Sequence, residues 1–195
     1  MTESPTFRTF IGIPLPEGVQ DELDFWLEAR EQTSPNSASG PRQIPSANRH
    51  VTLHFLGNLS NRERTRLCQN LSQVLKNTTA FELILDKLEY FPDAKSPIVA
   101  ATCETTPALD QLWILCAEAL QQSHLQHLIS TRKFRPHITL IRNRRCRQEL
   151  EYTERNDKPG LPAITFPVEQ VSLYDSQINH LGSSYRAIHT VTLNQ

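Results

Sequence analysis

The chain has 195 residues, with 20 Lys+Arg against 21 Asp+Glu and a formal net charge of −1 when histidine is neutral. A balance this even excludes a general polyanion-binding protein, so any affinity for nucleic acid has to come from a local basic patch. The composition, 38% hydrophobic and 21% charged, is not that of a disordered chain, and the length suits one domain or two small fused lobes. Cys68, Cys103, Cys116 and Cys146 are too widely spaced for a zinc knuckle or a redox motif. Cys116 lies in an apolar stretch and reads as a buried small hydrophobe. Met1-Thr2-Glu3-Ser4-Pro5 carries no basic or apolar leader, and no apolar run approaches the ~20 residues that span a bilayer. The expected setting is soluble and cytoplasmic.

Phe7 to Pro14 reads as a strand closed by Pro14 and Pro16. Pro16-Glu17-Gly18 opens a helix to about Arg30, with Val19, Leu23, Trp26 and Leu27 on one face. Residues 33–48, rich in Ser, Pro, Asn and Gly, form a loop longer than most connections. A strand from His50 to Leu56 ends at Gly57-Asn58. Ser60 and Glu63 have the spacing of a capping box for a helix to about Lys76 that buries Leu67, Leu71, Val74 and Leu75. Phe81 to Tyr90 and Ile98 to Cys103 read as strands around a proline-bearing turn. Pro107 opens a third helix whose stripe is Leu109, Leu112, Leu115, Cys116, Ala119 and Leu120. His137 to Ile141, Thr165 to Tyr174 and Tyr185 to Leu193 complete the strands. Interspersed helices and hairpin-like neighbours indicate an α+β fold with mainly antiparallel sheets.

One internal repeat carries chemistry. His50-Val51-Thr52-Leu53 and His137-Ile138-Thr139-Leu140 share the pattern His-x-Thr-Leu, and each opens a β-prone run after a loop. Residues i and i+2 of a strand share a face. His50 and Thr52 therefore point one way, with Val51, Leu53 and Phe55 packing inward, and His137 and Thr139 repeat the arrangement over Ile138 and Leu140. Side by side, the two strands would present two imidazoles and two hydroxyls to one ligand. Imidazole titrates near ~6.5, so one ring can act as base and the other as acid. That pairing serves phosphoester hydrolysis, with the threonine hydroxyls donating to the non-bridging oxygens. No Asp or Glu stands at metal-ligand spacing from these histidines, and no metal or cofactor is expected. A single His-x-Thr in a strand is commonplace; two copies, one in each half of the chain, are not.

The doubled motif resembles the two-histidine (2H) phosphoesterase superfamily. Its wider context runs Asn48-Arg49-His50-Val51-Thr52-Leu53-His54-Phe55-Leu56-Gly57, then Phe134-Arg135-Pro136-His137-Ile138-Thr139-Leu140-Ile141-Arg142, then Leu173-Tyr174-Asp175-Ser176. This is similar to the bacterial RNA 2′,3′-cyclic phosphodiesterases, historically called 2′-5′ RNA ligases, over nearly the whole chain. The resemblance implies one domain, residues 1–195, of two interleaved lobes, with a pseudo-two-fold axis relating two antiparallel sheets around a cleft and helices outside. It implies a monomer that takes RNA ends and hydrolyses a terminal 2′,3′-cyclic phosphate to a 2′-phosphate without metal. It also implies His50 as general acid, His137 as general base, and Thr52, Thr139 and Arg142 as phosphate ligands. The residues by themselves do not order the two histidines. They also leave open a related activity on 2′-5′ linkages or a small cyclic phosphate, and a non-catalytic RNA- or nucleotide-binding module.

Two positions depart from the family pattern. Arg49 stands where an apolar residue is usual, which predicts a more exposed start to that strand. Arg142, five residues past His137, falls on the wrong face of a regular strand and reaches the cleft only through a bulge. Arg132, Lys133, Arg135, Arg142, Arg144, Arg145 and Arg147 gather around the second motif as a candidate RNA-backbone patch. His54 reads as the polar end of its strand, outside the catalytic set. Phe10, Phe55 and Tyr185 read as core, with base stacking as the alternative.

Overall fold

In a computed structural model of the chain, residues 6–31, 42–142, 161–179 and 182–195 are described. Strand β1 (Thr6–Pro14) leads into α1 (Glu17–Glu31); a short strand β2 (Arg42–Gln43) and a 3-10 turn then precede β3 (His50–Ser60) and α2 (Asn61–Leu75). Next come β4 (Phe81–Leu85), β5 (Lys87–Tyr90), β6 (Ile98–Thr102), α3 (Pro107–Gln122) and β7 (His137–Arg142). The chain closes with β8 (Ile164–Val168), β9 (Gln170–Asn179) and β10 (Gly182–Thr192). One four-stranded sheet has the order β10-β9-β1-β3 and a second has β2-β7-β6-β5, while β4 and β8 form a separate pair. All these pairings are antiparallel. The fold is α+β, as the sequence predicts.

Local signals explain the helices. The Pro16 carbonyl accepts from Val19 N–H at 3.1 Å and Gln20 N–H at 3.2 Å, and Val19, Leu23, Trp26 and Leu27 turn inward from α1. Ser60 and Glu63 form the reciprocal capping box that starts α2, which buries Leu67, Leu71 and Leu75, with Val74 half-buried beside them. Thr106 caps α3 through the Leu109 N–H, with Pro107 in the first turn where its missing N–H costs nothing. Cys116 is fully buried in α3, and its surroundings push the thiol pKa up to about 12. A continuous hydrophobic core joins both large sheets to the helices. No helix among the described residues is long and apolar enough to cross a membrane.

Three strands depart from the expected outlines, each where the apolar alternation slips by one residue. Phe81 to Tyr90 is two strands: Leu83 and Leu85 face inward from β4, and past Asp86 the chain joins a different sheet as β5. Thr165 to Tyr174 divides likewise at Glu169, between β8 and β9. Strand β3 continues through Gly57-Asn58 to Ser60, and Gly57 adopts φ 67°, a left-handed conformation that suits glycine, where its pairing with β1 shifts register. Within the expected 33–48 loop, residues 42 and 43 form β2 on the edge of β7. Residues 33–41, Cys146, His180 and the cations Arg144, Arg145 and Arg147 lie outside the described residues.

Arg49 corrects a further expectation. It is 4% exposed, and its guanidinium bonds the Asp24 carboxylate, the Ile44 carbonyl at 3.0 Å and the Gln20 carbonyl at 3.4 Å. The residue thus staples α1 to the segment that enters β3. Asp24 is partly solvated, but the two carbonyls lose a charged donor if the side chain is cut back. Arg49→Ala is expected to cost about 2–3 kcal/mol in urea unfolding, whereas a loss below about 0.5 kcal/mol would contradict this role.

Candidate active site

Both His-x-Thr strands deliver their polar residues to one cavity of about 490 Å³ between the two large sheets. His50 and Thr52 line it from β3, and His137, Thr139 and Arg142 from β7. Regular alternation holds up to the fourth residue of each motif. There each strand bulges: Thr52 pairs with Gly12 but His54 with Ile11, and Thr139 pairs with Ala100 but Ile141 with Val99. Leu53 and Leu140 are the unpaired residues. Each bulge carbonyl is satisfied from outside its own ladder, that of Leu53 by the Trp113 indole N–H at 3.2 Å and that of Leu140 by Ile44 N–H at 2.8 Å.

The two bulges set which way the residue five positions after each histidine faces. Arg142 is carried onto the cleft face, as a bulge requires. Phe55 occupies the same offset from His50 and is turned outward, 66% exposed at the cavity wall, contrary to its expected place in the core. His54 is rotated the other way, 2% exposed, with Nε2 3.0 Å from the Trp113 carbonyl and its ring stacked on the Trp113 indole. It is neither a cleft residue nor a polar strand end; it clasps the β3 bulge to α3.

The imidazoles are held alike. His50 Nδ1 lies 2.9 Å from the Asn48 carbonyl, and His137 Nδ1 lies 3.0 Å from the Arg135 carbonyl, two residues upstream in both cases. A neutral ring in this setting donates from Nδ1 and keeps Nε2 for the cleft. Each ring rests on a phenyl group: Phe10 stacks on His50 at 4.5 Å, and Phe91 on His137 at 3.7 Å. Phe10 is itself buried, while half-buried Tyr185 meets His50 edge-on at 5.1 Å. Gly12 makes room for the His50 ring, since a Cβ there would stand 3.4 Å from its Cδ2 and 3.0 Å from the Val51 carbonyl.

Burial lowers the His50 pKa to about 4, helped by the nearby His137 and opposed by the Asn48 carbonyl. Burial also lowers that of His137, opposed by the Arg135 carbonyl and helped by the Arg135 charge. Both rings are therefore neutral near pH 7 in the free protein.

Of the described cations around the second motif, only Arg142 lines the cavity. Arg135 is engaged by the Pro92 carbonyl at 2.6 Å, by Glu89 and by the Phe91 ring. The cleft gains instead two arginines from elsewhere, Arg8 on β1 and Arg42 on β2. Neither was expected from the sequence: alternation with Phe10 and Gly12 was the signal that could have placed Arg8, whereas Arg42 lies inside the segment read as loop. No described Asp or Glu lines the cavity. Asp175 is buried on the other side of β9 against Arg64, and only its neighbour Ser176 reaches the cleft. Among the described residues there is no cluster of three metal-ligating side chains.

These features define an α+β protein whose two sheets each bring one His-x-Thr strand to a shared cleft. The sequence pattern of the 2′-5′ RNA ligase superfamily matches residues 19–179, and the chain belongs to that superfamily. An RNA 2′,3′-cyclic phosphodiesterase of Thermotoga maritima is 25% identical over 184 residues, 93% of each chain. One of Aquifex aeolicus is 25% identical over 151 residues, 74% of this chain and 78% of that one. Among solved structures, apo LigT of E. coli superposes with a TM-score of 0.75 at 23% identity, over 98% of this chain and 100% of that one. LigT has also been crystallised with phosphate and with 3′-AMP.

Proposed function

We propose that the protein is an RNA 2′,3′-cyclic phosphodiesterase that opens a terminal cyclic phosphate to a 2′-phosphate by metal-free acid–base catalysis. The observation that carries this reading is the pair of equivalently held imidazoles, each with a threonine two residues on, facing one cleft that no described carboxylate lines. The names of the curated relatives and the phosphate and 3′-AMP complexes of LigT support it.

In this mechanism His137 Nε2 takes a proton from water as the water oxygen attacks phosphorus. The bond from phosphorus to the 3′-oxygen breaks, and His50 Nε2 gives that oxygen its proton. The order of the two histidines follows the family resemblance. The Thr52 and Thr139 hydroxyls donate to the non-bridging oxygens, where negative charge grows in the transition state. Arg142 offsets that charge, and exposed Phe55 gives the terminal base a stacking surface. His50 is hard to protonate in the empty site, so the acid acquires its proton as the anionic phosphate binds beside it. Reversal of the same steps gives a slow 2′-5′ ligation as a side activity.

The test is incubation of an oligoribonucleotide ending in a 2′,3′-cyclic phosphate in EDTA, with identification of the product end. A 2′-phosphate is the expected product. A 3′-phosphate would overturn the assigned bond cleavage, and binding without turnover would make the protein a non-catalytic RNA-end binder.

A further inference from the structure

We propose that Arg8 forms a second phosphate subsite, so that the cleft selects the end of an RNA chain over a mononucleoside cyclic phosphate. The inference rests on the function proposed above and narrows its substrate.

A cyclic phosphate end bears one negative charge, yet the cleft presents Arg8 as well as Arg142, with no described carboxylate lining it. This excess of positive charge stands in a chain whose overall charge is −1. Arg42 and Arg142 are register partners on the β2–β7 wall, beside Thr139. Arg8 is on the opposite wall, exposed, with no ion pair or hydrogen bond among the described residues.

Its place along β1 decides which phosphate it meets. Gly12 pairs with Thr52, Phe10 with Phe55, and Arg8 with Asn58. Arg8 stands four positions from Gly12 along β1, about 13 Å of rise, which sets its strand position well away from the phosphorus gripped between the two threonines. Exposed Phe55 lies between. From the reacting end outward, the wall therefore offers a phosphate ligand, an aromatic face and a guanidinium. That order is phosphate, base, next phosphate along a single strand. Ser176, the β9 partner of Arg8, also lines the cavity and adds a hydroxyl to the same end.

The experiment compares uridine 2′,3′-cyclic phosphate with the dinucleotide UpU carrying the same cyclic end, which adds one internucleotide phosphate. The parent is expected to favour the dinucleotide. Arg8→Gln should lower kcat/KM for the dinucleotide about tenfold, chiefly through KM, and leave the mononucleotide within about twofold. The salt dependence of dinucleotide KM should weaken by about 0.7 in log–log slope, one phosphate contact on a single strand, and Arg8→Lys should restore part of the preference. An equal loss on both substrates, or none on either, would overturn the subsite. If the parent turns over neither, the proposed function fails, and calorimetric binding of 2′-phosphate-ended UpU and uridine 2′-phosphate judges the subsite separately. A dinucleotide preference abolished by Arg8→Gln would uphold it; the same affinities in parent and variant would overturn it.

Discussion

Replacing either His50 or His137 with alanine is expected to lower kcat on a cyclic-phosphate RNA end by about 10²- to 10⁴-fold, the usual worth of a positioned proton donor or acceptor. The double variant should be scarcely worse than the weaker single, because acid and base act in one step and the loss of either already idles the other. Each ring is also packing material, His50 on Phe10 and His137 on Phe91. Glutamine variants, which fill more of the space, should therefore match the alanine variants in rate while keeping more stability. Steady-state rates alongside urea midpoints separate the two effects. A variant retaining a tenth or more of parental kcat would remove its histidine from the chemistry.

The second large effect is expected at the phosphate grip. Thr52→Val and Thr139→Val preserve shape and delete one hydroxyl donor each, and every such donor aimed at growing charge is worth up to about 10²- to 10³-fold in kcat. Arg142→Gln should fall in the same range, because the bulge at Leu140 brings its guanidinium to the wall that carries Thr139. Arg132→Gln is the control, being exposed in the same basic segment but absent from the cavity wall. Equal losses at Arg132 and Arg142 would show a diffuse electrostatic effect in place of a specific contact.

The histidines and threonines were legible because alternation in a strand is strict over three residues, and three residues are all that His-x-Thr needs. Beyond the fourth residue legibility fails, since a bulge shifts every later side chain to the other face. Phe55 was misread as core for this reason, and Arg142 stayed conditional. The signal for the first bulge is present, but a polar residue conceals it: the inward positions of β3 run Val51, Leu53, then His54 and Leu56. A histidine in that row does not look like core until Trp113, distant in sequence, supplies its hydrogen bond. The same kind of slip, in plain view at Asp86 and Glu169, marks where the chain changes sheets. Arg49 was misjudged because its partners on α1 are set by tertiary packing, and no local pattern announces a buried arginine.

The pH dependence of kcat/KM on a cyclic-phosphate oligonucleotide in EDTA tests two-histidine catalysis most directly, since it reports the groups of the free enzyme. Reaction needs one ring neutral and the other protonated, a form that prevails between the two dissociation steps of the pair. Burial holds both histidines below their ordinary value of 6.5, His50 at about 4. Two-histidine catalysis predicts a kcat/KM bell with its maximum below pH 6.5, and a kcat bell displaced upward once bound phosphate stabilises the imidazolium. A rate that climbs steadily to pH 9, or that vanishes in EDTA and returns with a divalent cation, would contradict it.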